Sequence, residues 1–342
     1  PNLGLTGSGP EINVMRATLF STGIMSENST DIKLEELTPN IQLIIDTIKK
    51  FFMSNEGDNS FAKLYEKLVL PENGIGLKMG VIPVFIAAVL HNYKQHAVIL
   101  NTSNKELEIK AETLENINKV PSAYKFVLED WNSEKQEYIN ELDTLFRKNI
   151  VATEREYNTF DYIVKAMQRW FMNLSKYSRE ADQAYEGNLE FSKLKVQIKK
   201  FKNQLKGSDI NSRELLFGKL PEIFGKQGKD LVKEIKRTKE VLDLMLVNTR
   251  SNLIEDTKRI FKGNENATLP SVLQDWLETL KEDTKNHLYN NSNEVIFNFI
   301  DTEKSDENAL FEKIAKHLVG LRLTDWEDNS ITYFVNSLAK FK

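Results

Sequence analysis

At 342 residues and 39.5 kDa, with 40% apolar and 28% charged residues, the chain is composed like one large or two ordinary folded domains. Its lack of cysteine excludes disulfides, thiolate nucleophiles, iron–sulfur clusters and cysteine zinc sites. The longest apolar run covers only residues 79–90, against the roughly twenty a bilayer needs, so no membrane span is expected.

The chain opens at Pro1 without a charged-then-apolar leader, which predicts a trimmed or partial polypeptide with the cytoplasm as default compartment. The Asn-x-Ser/Thr sites at Asn28, Asn101, Asn173, Asn266 and Asn290 are what an asparagine-rich sequence yields by chance. The net charge of −4 hides a strong pattern. Residues 193–262 hold 18 basic against 9 acidic side chains, while residues 1–192 hold 20 against 27 and residues 263–328 hold 6 against 14. A basic middle between acidic flanks is either a polyanion site or a surface that packs on its own acidic neighbours.

Residues 1–10, with three glycines and two prolines, predict a loop, and 11–20 a helix on Ile12, Met15 and Leu19. Pro39 opens an amphipathic helix carrying Ile41, Ile44, Ile45, Ile48, Phe51 and Phe52. Residues 55–59 break it, and a shorter helix follows through Phe61, Leu64, Tyr65 and Leu68. A glycine-punctuated loop at 71–76 leads into residues 79–90, apolar all round and therefore expected as a helix buried on most of its circumference.

Two β-like runs at 97–100 and 107–110 predict a hairpin, and 111–118 a helix stopped by Pro121. From residue 132 onward long helices are expected. Phe191, Leu194, Ile198, Phe201 and Leu205 step by 3 and 4, a seam that predicts one lysine-lined helix over 191–206. Gly218 and Pro221 predict a turn at 215–221, and helices are expected over 230–262, 269–280, 309–321 and 331–341. The fold class expected is mainly α, a long-helix bundle with a small α+β module. That module spans 1–130 with a winged-helix-like core at 40–110, and the long-helix module spans 131–342.

No constellation for catalysis is complete. Gly7-Ser8-Gly9 lacks the lysine of a phosphate loop. The run from Gly225 to Asp230 follows no strand and has Asp230 where a magnesium-binding hydroxyl is needed. His91 and His96 are five apart, off the one-face spacing of paired ligands, and His287 and His317 stand alone. Glu108-Ile109-Lys110 resembles half of a metal-dependent nuclease core, but the strand before it carries no acidic ligand. No catalytic residue, metal or cofactor is expected. A winged helix reads DNA with a polar third helix, and here that helix is apolar, which turns the module toward internal packing or a partner. The nucleic-acid alternative rests on Lys193, Lys195, Lys199, Lys200, Lys202 and Lys206 with Lys226, Lys229, Lys233, Lys236 and Arg237, without interleaved aromatic platforms for bases.

Four stretches carry a family resemblance: residues 74–88 (Gly-Ile-Gly-Leu-Lys-Met-Gly-Val-Ile-Pro-Val-Phe-Ile-Ala-Ala), 118–126, 215–225 (Leu-Leu-Phe-Gly-Lys-Leu-Pro-Glu-Ile-Phe-Gly) and 323–328 (Leu-Thr-Asp-Trp-Glu-Asp). In this order they resemble elements of very large bacterial P-loop ATPases of phage defence, of the bacteriophage-exclusion and phage-growth-limitation type. The resemblance implies a helical, C-terminal, non-catalytic region whose partners are other domains or subunits of a defence complex. None of the four is a catalytic motif, so no active-site residue carries over.

Overall fold

The computed structural model describes residues 9–27, 29–54, 59–156, 158–264, 266–281 and 291–342. Most of the predicted N-terminal loop, Asn28, the break after residue 54, His287 and Asn290 lie outside them. The described residues are mainly helical, with two small antiparallel sheets. They fall into two compact units. The first is Pro1–Ala166 with Gly207–Pro221, the second Met167–Lys206 with Glu222–Lys342.

Along the chain, α1 (Pro10–Met15) runs into a wider π turn at Arg16–Phe20. Next come α2 (Pro39–Phe52), α3 (Phe61–Val69) and α4 (Ile82–His91), then β1 (Ala97–Asn101), β2 (Glu106–Leu107), α5 (Ala111–Lys119) and β3 (Tyr124–Leu128). After α6 (Ser133–Phe146), α7 (Thr159–Asn173) and α8 (Lys176–Glu180) stands the hairpin β4 (Gln183–Gly187) and β5 (Glu190–Lys193). The chain continues through α9 (Val196–Leu205), α10 (Ser212–Glu214), α11 (Leu220–Phe224), α12 (Gly228–Ile260) and α13 (Leu269–Thr279). It ends with α14 (Asn291–Thr302), α15 (Glu307–Val319) and α16 (Asp328–Phe341).

In the first unit, Pro39 occupies the first turn of α2, where its missing N–H costs nothing. That helix buries Ile44, Ile45, Ile48, Phe51 and Phe52 against α3, α4 and β3. Strand β1 lies at the centre of the order β2-β1-β3, pairing Ile99 with Leu107 on one side and with Phe126 on the other. Phe126 stacks on Phe52 at 4.0 Å between ring centroids and meets Phe61 edge-on at 6.2 Å.

Sequence expectation and structure part company at several places here. The apolar run is helical only from Ile82, where it buries Ile82, Phe85, Ile86, Ala88, Val89 and Leu90 on most of its circumference with Ala87 facing solvent, while Met79–Val81 is a 3-10 turn with Met79 exposed. Pro83 explains the late start, since a proline fits only the first turn of the helix that follows. The second hairpin strand ends at Leu107, before Glu108, and β3 had no counterpart in the predicted elements.

The predicted turn at 215–221 is helical. Pro221 has no N–H to offer, and just before it the backbone widens, so that Leu220 N–H donates to Leu215 O, five residues back. This π turn places Phe217 edge-on to Phe160 at 5.6 Å and to Trp131 at 6.4 Å. Residues 207–221 are fastened to the first unit by Glu106, whose carboxylate accepts from the backbone N–H of Ser212 (2.7 Å) and Arg213 (3.0 Å). Arg213 in turn pairs with the buried Glu129, which also accepts from Lys135 Nζ at 2.6 Å.

In the second unit α12 is the spine. It has no internal glycine or proline past Gly228, and it buries Leu231, Ile235, Leu242, Met245 and Leu253 along one face. Helices α8, α13 and α16 and strand β4 pack on it. Trp326 is fully buried, rests on Phe334 and donates its Nε1–H to Leu321 O at 3.1 Å. The elements that suggested a family thus hold turns and core: Gly74 and Gly76 take left-handed backbone (φ +79° and +74°), Leu323 and Trp326 are buried, and Phe217 is half-buried among aromatic rings.

Candidate interaction surface

The lysine-lined seam is not a single helix. Phe191 and Lys193 belong to β5, Lys195 is the residue before α9, and only Val196–Leu205 is helical. The hairpin turns on Asn188 and Leu189, both at left-handed φ (+53° and +58°), between Gly187 and its partner Glu190. That two-residue loop matches the right-handed twist of the strands, and Gly187-Asn188 was the signal for it in the sequence.

The hairpin is pinned to α12. Asn252 Nδ2 donates to Tyr185 O at 2.8 Å. The buried Asp256 carboxylate accepts from the Tyr185 hydroxyl, from Asn188 N–H at 3.0 Å, and pairs with Arg259 at 3.0 Å. Burial, and then the adjacent carboxylate, push the Tyr185 hydroxyl above the ordinary tyrosine range. Between β4 and α12 lies an open groove of about 570 Å³, floored by Ala184, Tyr185, Leu244 and Met245 and edged by Glu186, Arg237 and Glu240.

The solvent face of α12 changes character along its length. At about 100° per residue, Lys229, Lys233, Lys236 and Glu240 fall opposite the buried Leu231, Ile235 and Leu242. Farther along, the same face carries Leu244 and Val247, 51% and 49% exposed, with Val241 beside them at 41%.

The predicted basic residues are not one free surface. Lys199 pairs with Asp182 (3.3 Å), Lys206 with Glu180 (2.7 Å), Lys233 with Asp230 (2.8 Å) and Arg237 with Glu234 (2.6 Å). Lys193, Lys195, Lys200, Lys226, Lys229 and Lys236 are exposed. Lys202 is the clear departure, only 3% exposed. Its ammonium reaches inward to donate to Ala181 O, just past the end of α8, at 2.6 Å, where the helix's last carbonyls need a donor. Burial first, and then neighbouring Lys206, lower its pKa to about 8, against the pull of Asp182, Glu180 and Asp328.

A pH signature follows. From about pH 8 upward the folded chain sheds the Lys202 proton while the unfolded chain keeps it, so stability rises with pH. Between about pH 8 and 9, before tyrosine ionisation in the unfolded chain opposes it, denaturant titrations should show a gain of about 1 kcal/mol. Lys202→Met should flatten that rise. A rise of equal slope in the variant would show that Lys202 is not its source.

The other sequence candidates do not converge. Glu108 follows β2, its backbone carbonyl accepting from the Thr113 hydroxyl at 2.7 Å, and Lys110 precedes α5 and pairs with Glu112 at 3.2 Å. His96 lies flat on Trp131 at 4.0 Å, its pKa lowered by burial, and His91 is the exposed last residue of α4. No group of three or more histidine and acidic side chains is placed to hold a metal among the described residues. None of the described helices is long and apolar enough to cross a membrane.

Comparison with known proteins identifies no relative: no family model, curated protein or solved structure matches the chain.

Proposed function

We propose that the chain is a non-catalytic interaction or scaffold region of a bacterial anti-phage defence ATPase assembly, working in the cytoplasm on other domains or subunits of that complex. The observation that carries the interaction reading is the solvent face of α12, with three aliphatic side chains 41–51% exposed beside a groove. Exposed aliphatics on a rigid helix cost solubility and gain free energy only when a partner covers them. The defence setting rests on the resemblance of residues 74–88, 118–126, 215–225 and 323–328. We read α2, α3 and α4 with the β1–β2 hairpin as a winged-helix-like module whose third helix serves the core instead of a DNA groove.

The full chain, purified alone, is expected to turn over neither ATP nor nucleic acid beyond a mock preparation. Turnover abolished by one substitution in this chain would overturn the reading. The second reading, nucleic-acid binding, is favoured by the exposed Lys193, Lys195, Lys200, Lys226 and Lys236. It predicts a gel shift at about 50 mM salt that weakens steeply as salt rises, through counterion release. No shift on single- or double-stranded DNA or RNA would remove it.

A further inference from the structure

We propose that the solvent face of α12 and its groove against β4 bind an amphipathic helix carrying carboxylates in one half and apolar side chains in the other. This deepens the interaction-module reading and rests on it. The face has two parts. Lys233, Lys236 and Arg237 form the first, and Val241, Leu244 and Val247 the second, at 41%, 51% and 49% exposure. From Lys233 to Val247 the surface runs about four helical turns, roughly 20 Å, the contact length of one packed helix.

Charge complementarity chooses the occupant. A phosphate backbone would match the basic part but gain nothing from the three aliphatic side chains beside it. A second copy of α12, antiparallel about Leu244, would set Arg237 against Ser251 and leave most of the basic part facing neutral residues. Lys233 and Arg237 already pair with Asp230 and Glu234 on their own helix, so a helix with Glu or Asp in one half meets Lys236 directly and shares the other two cations, while Leu, Ile or Val in the other half enter the groove over Leu244 and Met245. Each half also rejects the wrong partner, since a basic helix meets like charge and a fully polar one leaves the aliphatics wet.

The test uses the full chain and labelled helical peptides of about 18 residues, long enough to hold a helix on a surface. Two carry Glu in one half and Leu along one face of the other, in the two orders, and two controls carry Lys for Glu. Fluorescence anisotropy should show saturable binding of at least one acidic peptide and none of the basic ones. Leu244→Glu and the pair Lys233→Glu with Lys236→Glu should each weaken binding at least tenfold without moving the melting temperature. The proposal is overturned if neither acidic peptide binds, or if Leu244→Glu leaves binding unchanged. A concentration-dependent dimer lost in Leu244→Glu would replace the acidic helix by a second copy and leave the interaction reading standing. Duplex DNA retained equally by Leu244→Glu, without peptide binding, would overturn the proposal in favour of the nucleic-acid reading. Nucleotide turnover by the chain would instead strike the functional reading itself.

Discussion

Replacing Phe126 by Ala should destabilise the first unit by about 3–5 kcal/mol, the usual cost of a lost buried ring and the cavity it leaves. Phe126 is 1% exposed at the centre of β3, stacked on Phe52 and close to Phe51 and Phe61. It couples the sheet to α2 and α3, and its N–H donates to Asn59 O at 3.0 Å. Folded domains are stable by only about 5–15 kcal/mol, so the loss is a large fraction of the whole. Hydrogen exchange localises it: amides of α2, α3 and β1 should exchange roughly a hundredfold faster or more, since 1.4 kcal/mol is a factor of ten. Lys200→Ala, on an exposed side chain of α9, should stay within about 0.5 kcal/mol of the parent. A loss under about 1 kcal/mol in Phe126→Ala would mean that the aromatic cluster is not the keystone of this unit.

The second large effect belongs to Asp256. Changing it to Ala strips the acceptor from the Tyr185 hydroxyl and Asn188 N–H, and leaves Arg259 with only Asn188 Oδ1 and solvent. The Tyr185 hydroxyl stays buried while Asn188 and Arg259 can rehydrate, so the expected cost is about 1–3 kcal/mol, that of a buried polar group left unsatisfied. Asp256→Asn keeps an acceptor oxygen and should cost clearly less. A double-mutant cycle with Tyr185→Phe separates the shared contact from general loosening, with a coupling of at least about 1 kcal/mol expected. A coupling near zero would show that the hairpin is held on α12 by its apolar contacts alone.

The long amphipathic helices were legible because their apolar periodicity was unbroken. Pro39, Pro270 and the glycine-free run after Gly228 marked starts and lengths that the structure reproduces. The short strands were not. Tyr124–Leu128 holds only one β-branched residue, and β4 reads Gln-Ala-Tyr-Glu-Gly, with neither alternation nor strand propensity. Phe191 and Leu194 fit a helical seam by spacing alone, although Gly187-Asn188 just before them signals a hairpin. The burial of Lys202 left no local trace, since its inward path depends on Ala181, twenty-one residues away. Nor could the docking of Glu106 on Ser212 be read, 106 positions away along the chain. Of the candidate surface, the basic half of α12 was legible from its lysines, whereas the exposure of Val241, Leu244 and Val247 depends on which face of the helix the rest of the unit covers.

The return of residues 207–221 to the first unit has a consequence during synthesis. The ribosome delivers Met167–Lys206, which belong to the second unit, before the segment that completes the first. Trp170, Phe171 and Phe201, buried in the finished fold, therefore emerge while α12 is still untranslated. For as long as the ribosome needs to add the next few dozen residues, at about 5–20 per second, this stretch has aromatic surface and no spine to cover it. The nascent chain thus passes through a window of seconds in which this aromatic surface is uncovered, and slow codons between positions 206 and 260 would lengthen it.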